Sequence, residues 1–279
     1  AVKSSGNLTV TANGGAIEVG KTTAATVAAG ENAHGEDLAI LSTVTLDAND
    51  ETTPANGAVT VGADSKVLAT ANVDIDATGA ATFTSATVEG KAGVTVDSGD
   101  KVTVNGGVVK AGAFDYVPGE VPTVGEDDAA NLTVTAQSGI EVTGGAALGA
   151  SQDLTLQKAA GATGGDIAVT GSKVAANRDL VVDSAAAVSV SGGSQVAANG
   201  TATVTGANGV TVDGSTVESK GDLTVTATAG DLVAKGAAKL GTDGKLTANA
   251  VAGSLKAQDA AVLTAGGVGD LDGNSGVEI

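Results

Sequence analysis

The sequence predicts an all-β protein folded as a parallel β-helix with three strands per turn. Three observations lead to this fold: a short phrase that recurs along the chain, an almost complete lack of aromatic residues, and small polar breaks between short apolar segments. The phrase reads NLTVTANGG at residues 7–15, NLTVTAQSG at 131–139 and DLTVTATAG at 222–230. Repetition at a fixed period indicates a coiled stack in which each copy forms one unit.

The period is close to 22 residues and contains three apolar anchors. In the second half of the chain the first series is Leu132, Leu154, Leu180, Ala202, Leu223, Leu246 and Val268; the second is Ile140, Ile167, Val188, Val210, Leu232, Leu255 and Val277; the third is Leu148, Val174, Val196, Val217, Leu240 and Val262. Each third-series residue precedes the next first-series residue by six positions. Three strands therefore make one turn.

The same frame covers the first half once insertions are allowed. Its anchors are Leu8, Ile17, Val27, Leu38, Val59, Val67, Val73, Ala81, Val88, Val94, Val102 and Val109. The assignment gives ten complete turns and two thirds of another. A strand spacing of about 4.8 Å then predicts a rod of roughly 50 Å. A second apolar residue typically follows each anchor by two positions, the alternation of a strand with one buried face.

Composition agrees with a narrow, ordered coil. Aromatic residues make up 1% of the chain and Trp, Met and Cys are absent, so Val, Leu, Ile and Ala must fill the interior, with Phe83 as the expected exception. The 42 glycines show no three-residue period, which excludes collagen, and the apolar content is too high for a disordered chain. A net charge of −18 argues against binding to nucleic acid or anionic lipid.

We expect one domain over residues 1–279, with loop insertions near 31–35, 41–56, 113–130 and 159–165. The three prolines lie in these insertions, as expected for residues that cannot donate to a strand ladder. The first ten residues contain no Met and no signal-peptide pattern, so we interpret the chain as a mature or excised piece. Neither end shows a cap, which predicts either continuation of a parent chain or end-to-end association.

The repeats carry a family resemblance. GNLTVTANGGAIEV, GVTVDGSTVESKGDLTVTA and GDLTVTATAGDLVAKGAAKLGTDGKLTANA resemble the shaft repeats of filamentous-haemagglutinin-like adhesins, exoproteins of two-partner secretion systems in Gram-negative bacteria. The resemblance covers nearly the whole chain outside the insertions. It implies a right-handed parallel β-helix, secreted or displayed at the bacterial cell surface and exported through an outer-membrane pore. It also implies a structural shaft that acts in attachment to a receptor or glycan on a host or neighbouring cell, or that holds a distal functional part away from the cell.

Catalysis is the first alternative, because some polysaccharide lyases and hydrolases are β-helices. Asp74 and Asp76 of VDIDATG should point outward about 7 Å apart, and Asp97 should stack on Asp76 at about 4.8 Å. A separation near 7 Å suits an inverting glycosidase. However, neither Trp, Tyr nor Arg accompanies this trio in sequence. We therefore expect a solvated face, with catalytic residues and cofactors both absent and the glycan-active enzyme kept as an alternative.

Ice binding is the second alternative. Outward pairs such as Thr9 with Thr11 and Thr203 with Thr205 form T-x-T motifs of the kind found on β-solenoid ice-binding proteins. Asp74 with Asp76, Val181 with Asp183, and Gln157 interrupt the predicted columns, and Thr is favoured on any exposed strand.

The insertion at 113–130 is the best candidate for a specific contact, since long loops on rigid scaffolds often carry binding. We name Phe114 and Tyr116 as its candidate receptor-contact residues, with covering of the rod's flank as the structural alternative. The acidic segments LDANDETTPANG and GEDDAAN could hold Ca²⁺ loosely, but they lack EF-hand spacing. GGVGDLDG near the end is similar to a calcium-roll repeat without matching it, and His34 has no partner ligand nearby. The sequence therefore predicts no defined metal site.

Overall fold

The computed structural model is an all-β parallel solenoid of about 11 turns with about 23 residues per turn. It describes residues 1–30, 41–50, 52–115, 123–124 and 129–279. Within these residues the single helical segment is the 3₁₀ turn Pro54–Asn56. The predicted fold class is therefore confirmed.

Each turn contributes a first, a second and a third strand, and equivalent strands of successive turns pair in parallel. The first strands form a sheet of eleven: Leu8–Asn13, Val44–Asn49, Asn72–Ala77, Gly93–Ser98, Asn131–Ala136, Leu154–Lys158, Leu180–Ser184, Ala202–Gly206, Leu223–Ala227, Leu246–Ala250 and Gly269–Gly273. We call the outward surface of this sheet the first face.

The second and third strands belong to one connected sheet of 20 strands. The second strands are Ile17–Val19, Val59–Val61, Gly139–Thr143, Ile167–Thr170, Ala187–Ser191, Gly209–Asp213, Leu232–Lys235, Leu255–Ala257 and Val277–Glu278. The third strands are Val2–Ser4, Thr26–Ala29, Lys66–Ala69, Ala147–Ala150, Lys173–Ala176, Gln195–Ala198, Thr216–Ser219, Lys239–Thr242 and Val262–Ala265. In two turns a long strand, Ala81–Gly90 or Lys101–Ala111, covers both positions.

The predicted register is present along most of the rod. Leu132 pairs with Leu154, and Leu154 pairs with Leu180, one turn apart each time. The inward residues of successive turns form one continuous apolar core. Phe83 is the largest side chain in this core, is 1% exposed, and pairs with Val61 on one side and Val104 on the other. An interior of stacked small apolar residues explains why larger aromatics are rare.

Two predicted anchors in the last complete turn are wrong by one residue. Leu240 pairs with Leu263 rather than Val262, and Leu246 pairs with Gly269 rather than Val268. Val262 and Val268 are 48% and 67% exposed. Both anchors are displaced by one position, so the spacing of six residues between the third and the first strand is unchanged. The spacing therefore gave no sign of the error.

The second turn also differs from the prediction. Its first strand is Val44–Asn49, which lies inside the loop predicted at 41–56. Val44 pairs with Leu8 and Val73 and is fully buried, so it occupies the position assigned to Leu38. The segment VTLDA has the same alternation as LTVTA, and its inward residues Val44 and Leu46 are fully buried. Leu38 itself lies outside the described residues.

An additional third strand, Val2–Ser4, precedes the predicted start of the coil. Val2 pairs with Val27, six residues before Leu8, in agreement with the general step. With this strand, each of the three strand positions is occupied eleven times among the described residues.

At several corners the residue before the first-strand anchor is a side-chain clamp between turns. Asn131 Oδ1 accepts a hydrogen bond from Asp153 N, and Asp179 Oδ1 accepts one from Thr201 N, at 3.1 and 2.8 Å. Equivalent bonds join Asn7 to Thr43 and Asp222 to Lys245. The opening Asn or Asp of the repeated phrase therefore links one turn to the next at these corners.

Candidate functional site

The first face carries two outward columns of side chains along the rod. The column beside the anchors contains Thr9, Thr45, Asp74, Thr95, Thr133, Thr155, Val181, Thr203, Thr224, Thr247 and Asp270. The column two residues further along contains Thr11, Asp47, Asp76, Asp97, Thr135, Gln157, Asp183, Thr205, Thr226, Asn249 and Asp272.

Three carboxylates occupy adjacent turns of the second column. Asp97 pairs with Asp76 as predicted, and Asp47 pairs with Asp76 from the other side. Sequence reasoning missed Asp47 because it assigned this segment to a loop. The alternation in VTLDA, VDIDA and VTVDS was the signal that could have found it. We call Asp47, Asp76 and Asp97, with Asp74 beside them, the carboxylate column.

The electrostatics of this column disfavour full ionisation. Partial desolvation, followed by the charges of Asp47 and Asp97, raises the pKa of Asp76. Partial desolvation and the charge of Asp97 also raise the pKa of Asp74. At strand spacing, neighbouring carboxylates lie about 4.8 Å apart in the backbone register and repel one another when ionised.

The carboxylate column lies on an open surface, which limits the chemistry that it can perform. Asp76 and Asp97 are exposed on the outward surface, and Asp47 and Asp74 are half-buried. A glycosidase acid is normally raised in pKa by an apolar cleft that also holds the sugar. Here the pKa shifts arise on an open sheet, from partial desolvation first and from like-charged neighbours second. The nearest aromatic in the core, Phe83, is buried and directed inward. The column can attract cations electrostatically and exchange protons with solvent.

Metal ligation finds little support on the described part of the chain. In it, groups of three or more His, Asp or Glu side chains arranged to hold a metal ion are absent. Asp50 Oδ1 instead accepts bonds from Thr52 N, Thr52 Oγ1 and Thr53 N, which organise the 3₁₀ turn. These bonds lower the pKa of Asp50, that from Thr53 N contributing most. His34 and residues 125–128 of GEDDAAN lie outside the described residues.

The calcium-roll-like segment GGVGDLDG folds as an ordinary first strand rather than a loop. Asp270 and Asp272 lie at the end of the two outward columns. Lys245 Nζ contacts Asp270 Oδ2 at 3.1 Å, one turn away. This ion pair uses Asp270 in turn-to-turn stabilisation.

The threonine columns are interrupted, as predicted. Thr occupies eight of the eleven positions beside the anchors but four of the eleven in the other column. Both positions are Thr in two successive turns only at Thr203 with Thr205 and Thr224 with Thr226. The largest two-column threonine array therefore covers about 5 by 7 Å between its outermost positions.

The candidate receptor-contact loop leaves the coil after the strand Lys101–Ala111 and returns at Asn131. It contains a short antiparallel pair in which Phe114 lies opposite Val124. Tyr116 lies outside the described residues. The segment between Lys158 and Ile167 likewise leaves the strand ladder, in agreement with the insertion predicted at 159–165.

Ion pairs between adjacent turns are distributed over the outer surface. Lys239 Nζ contacts Glu218 Oε2 at 3.3 Å, and Arg178 forms a two-point contact with Asp153. The bond from Arg178 is the main cause that lowers the pKa of Asp153. Exposed pairs of this kind contribute about 0–1 kcal/mol each, so they adjust stability rather than define it.

The described surface has shallow clefts, three of which lie as follows. One of about 200 Å³ lies over Gly241 between Glu218, Lys239 and Thr264. Another of about 230 Å³ lies beside Lys101 and Asp166. The third, of about 220 Å³, is the apolar opening at the amino-terminal end of the core. Carboxylate-column residues contribute to none of the three linings.

Comparison with known proteins adds no relative. Family models, curated proteins and solved structures all fail to match the chain. Among the described residues, there is also no helix with the length and apolar character needed to cross a membrane. Functional inference therefore depends on the fold, the outer surface and the repeat resemblance.

Proposed function

We propose that residues 1–279 form a structural shaft segment of a secreted, cell-surface adhesin or fibre similar to filamentous-haemagglutinin-like exoproteins. The supporting observation is the unbroken ladder of eleven first strands, paired in register from Leu8 to Gly273. Eleven turns at about 4.8 Å make a rod of roughly 50 Å. Such a rod holds whatever is attached to it at a fixed distance and orientation.

The outer surface supports a spacer role. Outward threonines, carboxylates and cross-turn ion pairs cover the flanks, while the apolar residues are concentrated inside. In this proposal the shaft is exported through an outer-membrane secretion pore and presents a distal domain, or its own loop at 113–130, to a receptor or glycan on a host or neighbouring cell. Phe114 and Tyr116 remain the candidate contact residues.

The spacer role is testable by changing the number of turns. Deletion of residues 180–245 joins Asp179 directly to Leu246. Leu246 occupies the same position in the repeat as Leu180, so the register is kept. The deletion removes three turns and should shorten the rod by about 14 Å. The chain is displayed on a non-adherent bacterium with a binding module fused at its distal end. The height of this module above the cell surface should then decrease by the same amount as the rod. A matched deletion of residues 114–130 keeps the six-residue step from Val109 to Leu132, and it should leave module height unchanged and reduce any direct attachment.

The alternative functions make different predictions. A glycan-active enzyme would release products from a polysaccharide panel and lose that activity in Asp76→Ala and Asp97→Ala variants. An ice-binding protein would show thermal hysteresis that decreases in Thr203→Lys and Thr224→Lys variants. Turnover or hysteresis that depends on these residues would contradict the shaft proposal. Unchanged module height after removal of three turns would contradict it equally.

A further inference from the structure

The first and third strands present outward surfaces of opposite charge, and we propose that copies of this chain bind side by side, the first face of one copy against the third face of another. We call the outward surface of the third strands the third face. Complementary charge, an equal strand spacing and a sufficient contact area support this contact. It concerns the flanks of the rod and goes beyond the spacer role.

The first face is acidic. Its two outward columns have 22 positions, of which seven are Asp and none is Lys, Arg or Glu. The seven are Asp47, Asp74, Asp76, Asp97, Asp183, Asp270 and Asp272. Within the described residues, the four carboxylates of the carboxylate column form no ion pair with Lys or Arg. Their negative charge is therefore available to cations of another chain.

The third face has the opposite charge. The charged residues at its outward positions are five lysines and two glutamates: Lys3, Lys66, Glu89, Lys110, Lys173, Glu218 and Lys239. Both glutamates are paired with a lysine of the adjacent turn, Glu89 with Lys110 at 3.2 Å and Glu218 with Lys239 at 3.3 Å. The third face therefore has a net charge of +3 in a chain whose net charge is −18.

The middle of the third face carries short side chains. Gly149, Ala175 and Ala197 occupy successive outward positions, and Ala147 lies beside Gly149 on the same strand. Residues of this size leave room for the close approach of a neighbouring rod. The lysines of the third face are longer, so they make the first contact with that rod.

Both faces repeat at the same interval, because the first and the third strand each occur once per turn. Two parallel copies can therefore align their charges over many turns. With an offset of two turns, Lys66 lies opposite Asp97 and Lys3 lies opposite Asp47 by the strand order of each face. Neither glutamate of the third face lies opposite an aspartate in this register. The charge patterns of the two faces are thus complementary strand by strand.

The contact has the size of a stable interface. With the two-turn offset ten strands of each face overlap, which is a length of about 43 Å at about 4.8 Å per turn. A strand of about five residues is about 17 Å long, so each copy contributes about 730 Å², close to the roughly 800 Å² per partner of standard interfaces. The contact is heterologous, so a joined pair leaves one face of each kind uncovered and further copies can bind.

Salt should control this contact. Whole copies repel one another, because each has a net charge of −18. At about 0.15 M ionic strength the Debye length is about 8 Å, so facing charges attract while charges on the far sides of the two rods are screened. At about 1 M the Debye length is about 3 Å, and the facing charges are screened as well. We therefore expect association at physiological salt and its loss at high salt.

Reversal of charge on one face at a time tests the contact. The first variant is Asp47→Lys with Asp97→Lys, and the second is Lys3→Glu with Lys66→Glu. Analytical ultracentrifugation of the unmodified chain should show mass that rises with concentration in multiples of 26.2 kDa. Each variant alone should remain at one copy, because its facing positions then have like charge. An equimolar mixture of the two variants should associate again, because the facing positions of unlike copies have opposite charge.

The net charges of the variants separate this contact from general repulsion. Each substitution changes the charge by two, so the first variant has a net charge of −14 and the second −22. General repulsion predicts stronger association of the first variant, whereas the proposed contact predicts its loss. Thr60→Lys with Thr211→Lys is the matched control, because it adds positive charge to the outward surface of the second strands. This control should associate like the unmodified chain.

Circular dichroism checks that both variants are folded. Where a reversal disturbs the fold, Asn at the two aspartates or Gln at the two lysines should still weaken association. An unmodified chain that stays at one copy at all accessible concentrations, or association that survives high salt, would overturn the proposal. Variants that associate alone, or a mixture of the two that stays at one copy, would overturn it equally. The spacer experiment measures the length of a single copy, so its outcome is independent of these results.

Discussion

The corner clamp at Asp179 offers a quantitative test of how one turn holds the next. Asp179 Oδ1 accepts hydrogen bonds from Thr201 N and Thr201 Oγ1, both at 2.8 Å. Asp179→Ala removes both bonds and exposes the Thr201 amide, which resembles the loss of a helix-capping side chain. The expected loss is about 1–2 kcal/mol in the free energy of unfolding, because the carboxylate is 44% exposed and water partly replaces it.

The clamp needs an acceptor oxygen, not a charge, so Asp179→Asn should lose less than about 0.5 kcal/mol. Asp97→Ala is the matched control, since it removes an exposed carboxylate from a column where its neighbours repel it. Urea unfolding gives the free energies, and the alanine variant should lower Tm by about 2–4 °C per kcal/mol. Hydrogen exchange at Thr201 should accelerate in Asp179→Ala alone. The reasoning fails if the Ala and Asn variants are equally stable, or if Asp97→Ala is as damaging.

Three further predictions concern the core, the carboxylate column and the register. Phe83→Ala should cost about 3–5 kcal/mol in chemical denaturation, and Phe83→Leu less than about 1.5, since leucine keeps most of the buried volume. Because the pKa of Asp76 is raised in the folded state, this residue contributes stability below about pH 4 that is lost as the pH rises. Asp76→Asn should therefore make the free energy of unfolding less dependent on pH and should be more stable than the unmodified chain at pH 7. Thermal melts across pH measure both effects. Leu263→Lys should destabilise the last turns, and Val262→Lys should change stability by less than about 0.5 kcal/mol; the reverse order would contradict the observed pairing.

The fold was predictable because one physical requirement recurs in every turn. Each strand must direct small apolar side chains inward at alternate positions, and the repetition of this requirement leaves a period that the sequence displays directly. Most of the register followed from the same requirement. Leu132, Leu154 and Leu180 stack in the structure as their spacing predicted.

The register failed where the apolar pattern was locally degenerate. Val262 and Leu263 are adjacent apolar residues, so either could anchor the strand, and only pairing with Leu240 selects the second. At the second turn an insertion sets the distance from Val27 to the next first strand, and the insertion predicted at 31–35 was too short, so the anchor was placed on Leu38 instead of Val44. Because this error assigned residues 41–56 to a loop, Asp47 was not recognised as the third member of the carboxylate column.

The candidate site was less predictable than the fold for a reason built into the solenoid. Inward positions are constrained by close packing against the turns on either side, so their residue types report the fold. Outward positions on the first face need only suit a solvated strand, and Thr, Asp, Gln, Asn and Val all occupy them along the two columns. We therefore expect function in such a rod to be carried by what differs between turns, namely the excursion at 113–130 and the carboxylate column.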